Sequence, residues 1–210
     1  DPTVPNLQAM VAMYNDATSR FSLNKQRMYA AGYSGGARIA CDMAYRYAPQ
    51  FAGVIGAGSG FPTDHDPTAD TPFVFFGTVG NLDFNYYEMR LLEPKLKSAG
   101  IPYRIRVFDG EHDWPPAELC TEELEWMEIQ AMKSGKREKD PAMVAEIFQK
   151  RLAKAEGLKN NRALHEARDE YQSIATDFKS LVNVDAVAAQ VSLLSESDEV
   201  KQWEQQELKR

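Results

Sequence analysis

The feature that most constrains this chain is the pentapeptide Gly32-Tyr33-Ser34-Gly35-Gly36. It stands between an apolar run at 27–31 and a stripe of small residues, Ala37, Ala40, Cys41, Ala44 and Ala48, at helical spacing. The run predicts a strand and the stripe predicts a helix. Almost no residues are left between them for a loop, so the chain must reverse sharply at Ser34. Glycine neighbours allow strand and helix to approach closely at such a turn. A serine held there takes a strained backbone conformation that lifts its hydroxyl clear of the strand.

The same alternation continues downstream. Further strands are predicted at 51–57, 72–78 and 103–109, with helical patterns between them. Met89, Leu92, Leu96 and Ala99 form one such pattern, and Leu7, Met10, Val11 and Tyr14 predict a helix ahead of the first strand. The run Phe73–Phe76 is apolar throughout, as in a strand covered on both faces. The segment 103–109 instead alternates Tyr103, Ile105 and Val107 with Arg104 and Arg106, which suits a strand nearer a sheet edge. Strands alternating with helices imply an α/β fold, here about four mainly parallel strands.

Composition then marks a boundary. Residues 1–130 hold 11 of the 13 glycines and carry a net charge of −7, whereas 131–210 are neutral. Of the 11 prolines only Pro141 lies in the second part. The charged stretch 133–142 is expected to be a linker between an α/β part at 1–132 and an all-α helical tail at 143–210. Three amphipathic helices are predicted in the tail, at 143–155, 164–178 and 184–207. Leu164, Ala167, Tyr171 and Phe178 loosely resemble the second half of a tetratricopeptide unit, although no 34-residue repeat is visible.

Strand, sharp turn and helix around Ser34 form the setting of a nucleophile elbow. The Gly35 N–H, at the start of the helix, would be one donor to an oxyanion. A serine nucleophile needs a base, and the chain has three histidines. His165 falls on a polar helix face and is expected to be a solvated surface residue. His65 lies in the acidic loop Asp64-His65-Asp66, without the further His or spaced Cys that a metal site needs. His112 directly follows the fourth strand in a Gly-containing loop, where a base can reach over the carboxyl edge of a sheet. For the carboxylate that orients the imidazole, Asp83 follows the third strand. Asp109 and Asp113 are the alternatives. Asp109 ends a strand, and Asp113 adjoins His112 too closely to receive Nδ1–H easily.

These motifs carry a resemblance. Gly-Tyr-Ser-Gly-Gly at 32–36, Gly-Asn-Leu-Asp at 80–83 and Gly-Glu-His-Asp-Trp-Pro at 110–115 make residues 5–130 similar to the carboxyl-terminal half of the α/β-hydrolase fold. Within it they resemble the group of esterases, dienelactone hydrolases and polyhydroxybutyrate depolymerases. The order serine, acid, histidine is that of the family. The resemblance implies Ser34 as nucleophile, His112 as general base and then acid, Asp83 as orienter and Gly35 as oxyanion donor. Tyr33 and Trp114 would line the substrate site. The four strands would match the family's fifth to eighth. The upstream strands and the loop giving a second oxyanion donor are not found, so the chain is expected to be one piece of a longer polypeptide.

The expected activity is therefore hydrolysis of a small carboxylic ester or other acyl substrate through an acyl-enzyme, with no cofactor and no metal. A peptidase or amidase would use the same residues. The alternative from another class is a non-catalytic scaffold derived from a hydrolase, its tail binding a protein partner. An acidic chain is poorly suited to a nucleic-acid partner, and no apolar run is long enough to span a bilayer. Asp1-Pro2-Thr3 does not open a signal peptide, and the compartment stays open between bacterial cytoplasm and export. Cys41 and Cys120 are too few for a disulfide scaffold, and no disulfide is expected between them.

Overall fold

The four apolar runs form the four strands of one sheet in a computed structural model, which describes residues 3–207. Asp1-Pro2, the tail's last residues at 208–210 and the side chains of Thr3, Val4, Leu7 and Glu207 lie outside the described residues. The strands β1 (Met28–Tyr33), β2 (Phe51–Ala57), β3 (Val74–Gly80) and β4 (Tyr103–Phe108) lie side by side in sequence order. Every neighbouring pair is parallel, with Ala30 opposite Val54, Val54 opposite Phe75, and Phe75 opposite Tyr103. All residues of β2 are buried, as the two-sided cover of a central parallel strand requires.

Helices α1 (Thr3–Arg20), α2 (Gly35–Arg46) and α3 (Tyr86–Ala99) share one core with the sheet. Alternate strand residues point to opposite faces. Val54, Phe75 and Val79 therefore meet Ala40, Cys41, Ala44, Met89 and Leu96 in that core. Ile55 and Phe76 point the other way, onto Trp126 and Met127 of α4 (Ala117–Lys133). Burying a phenylalanine such as Phe75 or Phe76 contributes about 2–3 kcal/mol. This is an α/β unit with a four-stranded parallel sheet, and an all-α unit follows it.

Several boundaries differ from the sequence reading. β1 continues to Tyr33 and β3 to Gly80, each two residues past the predicted end. The Ser34 N–H still bonds the Ala57 carbonyl at 2.7 Å, so the ladder reaches the reversal itself. Ala48 lies beyond the end of α2 and is exposed rather than part of its buried stripe. β4 stands at an edge of the sheet, as its alternation suggests, but its arginines are covered. Arg104 is only 6% exposed, and both Arg104 and Arg106 pair with Glu122 of α4, while Val107 is exposed.

The compact units are residues 1–131 and 132–210. The second holds α5 (Pro141–Asn160), α6 (Leu164–Phe178), α7 (Asp185–Ser195) and α8 (Asp198–Glu207). Asp140 caps α5, its Oδ1 accepting from the Met143 N–H at 3.0 Å, with Pro141 in the first turn where its missing N–H does no harm. The irregular stretch between α4 and α5 is thus 134–140, shorter than the expected 133–142. The stretch predicted as one helix at 184–207 is two. Ser197 interrupts it, its hydroxyl donating to the Leu194 carbonyl at 2.7 Å and accepting from the Val200 N–H at 3.4 Å. A serine that ends one helix and caps the next leaves no helical register to carry across.

Candidate active site

The carboxyl ends of β1, β3 and β4 bring three side chains together. Ser34 opens α2 directly after β1, with φ 53° and ψ −124°, a positive-φ backbone conformation rare outside glycine. Gly32 makes the reversal possible. A Cβ there would stand 2.1 Å from the carbonyl oxygen of Gly36, so no side chain fits between strand and helix. At Gly35 and Gly36 an added Cβ would meet open space, so the close approach rests on Gly32 alone among the three.

His112 lies on the loop after β4, and Nε2 of its imidazole is 2.9 Å from Ser34 Oγ. Its Nδ1 is 2.9 Å from Oδ2 of Asp83. Asp83 follows β3 and is 5% exposed, shielded from competing water. Its other oxygen, Oδ1, accepts the Asn85 N–H at 2.7 Å. Both carboxylate oxygens are held, so the group cannot rotate away from the imidazole. Asp109 is instead bonded by the Asn81 side chain, and Asp113 accepts from the Trp114 N–H.

The loops carrying Asp83 and His112 are stitched to one another. Asn81 donates from Nδ2 to Asp109 and accepts the Gly110 N–H at Oδ1. The Leu82 N–H bonds the Gly110 carbonyl at 2.9 Å. Gly80 allows the contact, since a Cβ there would lie 2.3 Å from the Glu111 carbonyl oxygen. Asn81 stands within the Gly-Asn-Leu-Asp motif, whereas Asn85 and Gly58 belong to none of the sequence motifs. Only the turn-forming types Asn and Gly beside strand ends hint at them.

Aromatic rings surround the imidazole. The centroid of Phe84 is 4.2 Å from that of His112, and that of Tyr33 is 4.9 Å away. Trp114 stacks on Tyr33 at 5.2 Å. Phe84 and Trp114 are well exposed and give the site an apolar edge. Tyr33 also donates its hydroxyl to the His112 carbonyl at 2.6 Å. Desolvation, with Asp113 and Asp83 nearby, pushes that hydroxyl above its usual pKa and keeps it a protonated donor.

The remaining candidates lie elsewhere. His65 is exposed, its ring against Tyr45 at 4.7 Å. His165 is stacked on Trp203 at 4.7 Å, where a freely solvated ring was expected. Cys41 is fully buried, and burial pushes its thiol far up, away from the thiolate form. Among the described residues no group of three or more His, Cys, Asp and Glu side chains is placed to hold a metal ion. Also among them, no helix is long and apolar enough to cross a membrane.

No known family model matches the chain, and no curated protein matches it. Among solved structures it is similar to an S-formylglutathione hydrolase (FrmB) from Staphylococcus aureus, at 18% identity and a TM-score of 0.46 over 56% of this chain. It is also similar to a ferulic acid esterase, at 18% identity and a TM-score of 0.42 over 54% of this chain. The chain spans 58% and 55% of those two proteins, little more than half of either.

Proposed function

We propose that this α/β unit is a serine hydrolase acting on a carboxylic ester, with Ser34 as nucleophile, His112 as base and then acid, and Asp83 as orienter. The observation that carries the reading is the unbroken line from Ser34 Oγ to His112 Nε2 and from His112 Nδ1 to Asp83 Oδ2, both at 2.9 Å. Nucleophile, base and orienter within hydrogen-bond reach are the signature of an activated serine.

In the proposed reaction His112 Nε2 takes the Ser34 proton as Oγ attacks the ester carbonyl. Asp83 accepts the Nδ1–H and stabilises the imidazolium that forms. The negative charge moves to the carbonyl oxygen, beside the Gly35 N–H at the start of α2, where helix-terminal N–H groups favour an anion. The imidazolium then protonates the departing alkoxide, leaving an ester on Ser34. A water molecule, deprotonated by His112, attacks that ester, and Ser34 recovers its proton as the acid leaves. The apolar edge of Phe84 and Trp114 suits an apolar acyl or alcohol group. The two-nitrogen geometry at His112 serves amides equally, so an amidase reading uses the same steps.

Intact mass after incubation with a fluorophosphonate probe tests the reading. One adduct on the unaltered chain, absent from Ser34→Ala and His112→Ala, is the expected result. No adduct on the unaltered chain, nor on a longer polypeptide containing it, would sink the reading and favour a non-catalytic scaffold.

A further inference from the structure

β2 contributes none of the three reacting side chains, yet its exit adjoins all three residues. The carbonyl of Ala57 accepts the Ser34 N–H at 2.7 Å. The next residue, Gly58, has φ +65° and donates its N–H to the Thr78 carbonyl at 2.8 Å. A Cβ on Gly58 would lie 3.0 Å from Cε1 and 3.2 Å from Nδ1 of His112, and 3.3 Å from Oδ2 of Asp83. The bare backbone of Gly58 is therefore the floor on which the Asp83–His112 hydrogen bond rests.

One side chain locks that floor. Asn85 Nδ2 donates to the Gly58 carbonyl at 2.8 Å. Asn85 precedes α3, at the position where an asparagine ordinarily caps the helix with its side-chain oxygen. Here the side chain makes no cap bond. It reaches across to β2 instead, while its main-chain N–H holds Asp83 Oδ1. We propose that Asn85 is a positioning residue for the Asp83–His112 pair, its N–H fixing the outer oxygen of Asp83 and its side-chain amide pinning the Gly58 turn beneath the imidazole.

The kinetic consequence rests on the serine-hydrolase reading, and the geometry does not. A site of this kind must be held to within about 0.5 Å, and a displacement of about 1 Å can cost about 100-fold in rate. Without the amide the Gly58 carbonyl loses that anchor and only its N–H bond to Thr78 holds the turn, so the surface that keeps Nδ1 facing Asp83 loosens.

Two substitutions separate positioning from capping. Asn85→Asp keeps the main-chain N–H and is as good a helix cap, but it presents carboxylate oxygens to the Gly58 carbonyl in place of a donor. Asn85→Ala removes the side-chain contact altogether. The readouts are the fluorophosphonate reaction rate at Ser34, the downfield proton resonance of the Nδ1–H shared with Asp83, and the thermal midpoint. Both variants are expected to react 10- to 100-fold more slowly and to lose or broaden the resonance, with the probe concentration at half-saturation and the thermal midpoint little changed. Unaltered rate and resonance in Asn85→Asp would overturn the proposal and leave only a cap. If neither the unaltered chain nor a longer polypeptide containing it reacts, the serine-hydrolase reading fails by itself, and the resonance decides for Asn85. Its loss in both variants alone supports positioning, and its persistence, or its absence from the unaltered chain, refutes it.

Discussion

The phenolic hydroxyl of Tyr33 donates to the main-chain carbonyl of His112 at 2.6 Å, so the residue before Ser34 holds the loop that carries His112. β1 and the loop after β4 stand at opposite edges of the sheet, and this bond spans the site between them. Tyr33→Phe keeps the ring that stacks on Trp114 and removes only the donor. A neutral hydrogen bond contributes about 1 kcal/mol net, or roughly fivefold. The expected outcome is a fall in kcat of about that size with KM nearly unchanged. A rise in KM alone would instead make Tyr33 a substrate contact only.

Glu123 of α4 is 5% exposed, and its Oε1 has no hydrogen-bond partner. Burial pushes its carboxyl up to about 7, and the neighbouring Glu122 carboxylate adds to the rise. Thr78 opposes the shift, but its hydroxyl oxygen makes no well-directed hydrogen bond, so burial prevails. The folded value is raised, so the folded state keeps this proton when the unfolded chain has lost it. Stability should therefore be full below about pH 4.5 as far as this group is concerned. It should fall as pH rises from there to about 7, by on the order of 1–3 kcal/mol. Glu123→Gln should flatten that part of a denaturant-unfolding profile. An unchanged pH slope would show that Glu123 ionises normally.

The difference between what was legible in the sequence and what was not follows from range. The four strands and the reversal at Ser34 rest on local signals: apolar runs, helical spacing and glycines. The order of the motifs along the chain set Ser34, Asp83 and His112 at the ends of three strands, and the structure brings the His112 ring to 2.9 Å from each of the other two side chains. The alternation of Arg104 and Arg106 with apolar residues marks the edge strand that β4 is, but not what the two arginines meet. Only the packing of α4 puts Glu122 beneath them. Asn85 and Gly58, 27 residues apart, make a contact that no periodicity encodes. His165 and Trp203 meet for the same reason, across two helices of the tail.

The helical unit has a buried ionic cluster of its own. Arg151 of α5 lies between Glu170 and Asp177 of α6, and all three are at most 6% exposed. Removing one partner of a buried pair strands the other charges without solvent. Arg151→Met should destabilise this unit by about 3–5 kcal/mol, whereas Arg151→Met with Glu170→Gln and Asp177→Asn should recover much of that loss. Chemical unfolding followed by circular dichroism would check both. An equal loss in the triple variant would mean that the ions contribute stability and do not merely compensate one another.

Gly32 and Gly36 stand symmetrically about Ser34, yet the structure gives them opposite tolerance. A methyl group on Gly32 would overlap the Gly36 carbonyl at 2.1 Å and the Ala37 nitrogen at 2.6 Å, both backbone atoms that cannot step aside without parting β1 from α2. Gly32→Ala should cost about 3 kcal/mol or more and leave little folded protein. At Gly36 the added methyl meets nothing within 4 Å, and Gly36 lies in the first turn of α2. There alanine restricts the unfolded chain and favours the helix, so Gly36→Ala should be neutral or stabilise by about 0.5–1 kcal/mol. Urea midpoints of the two variants decide the matter. A severe loss at Gly36 as well would mean that something packs against the open side of the Ser34 turn, and that both glycines are steric necessities.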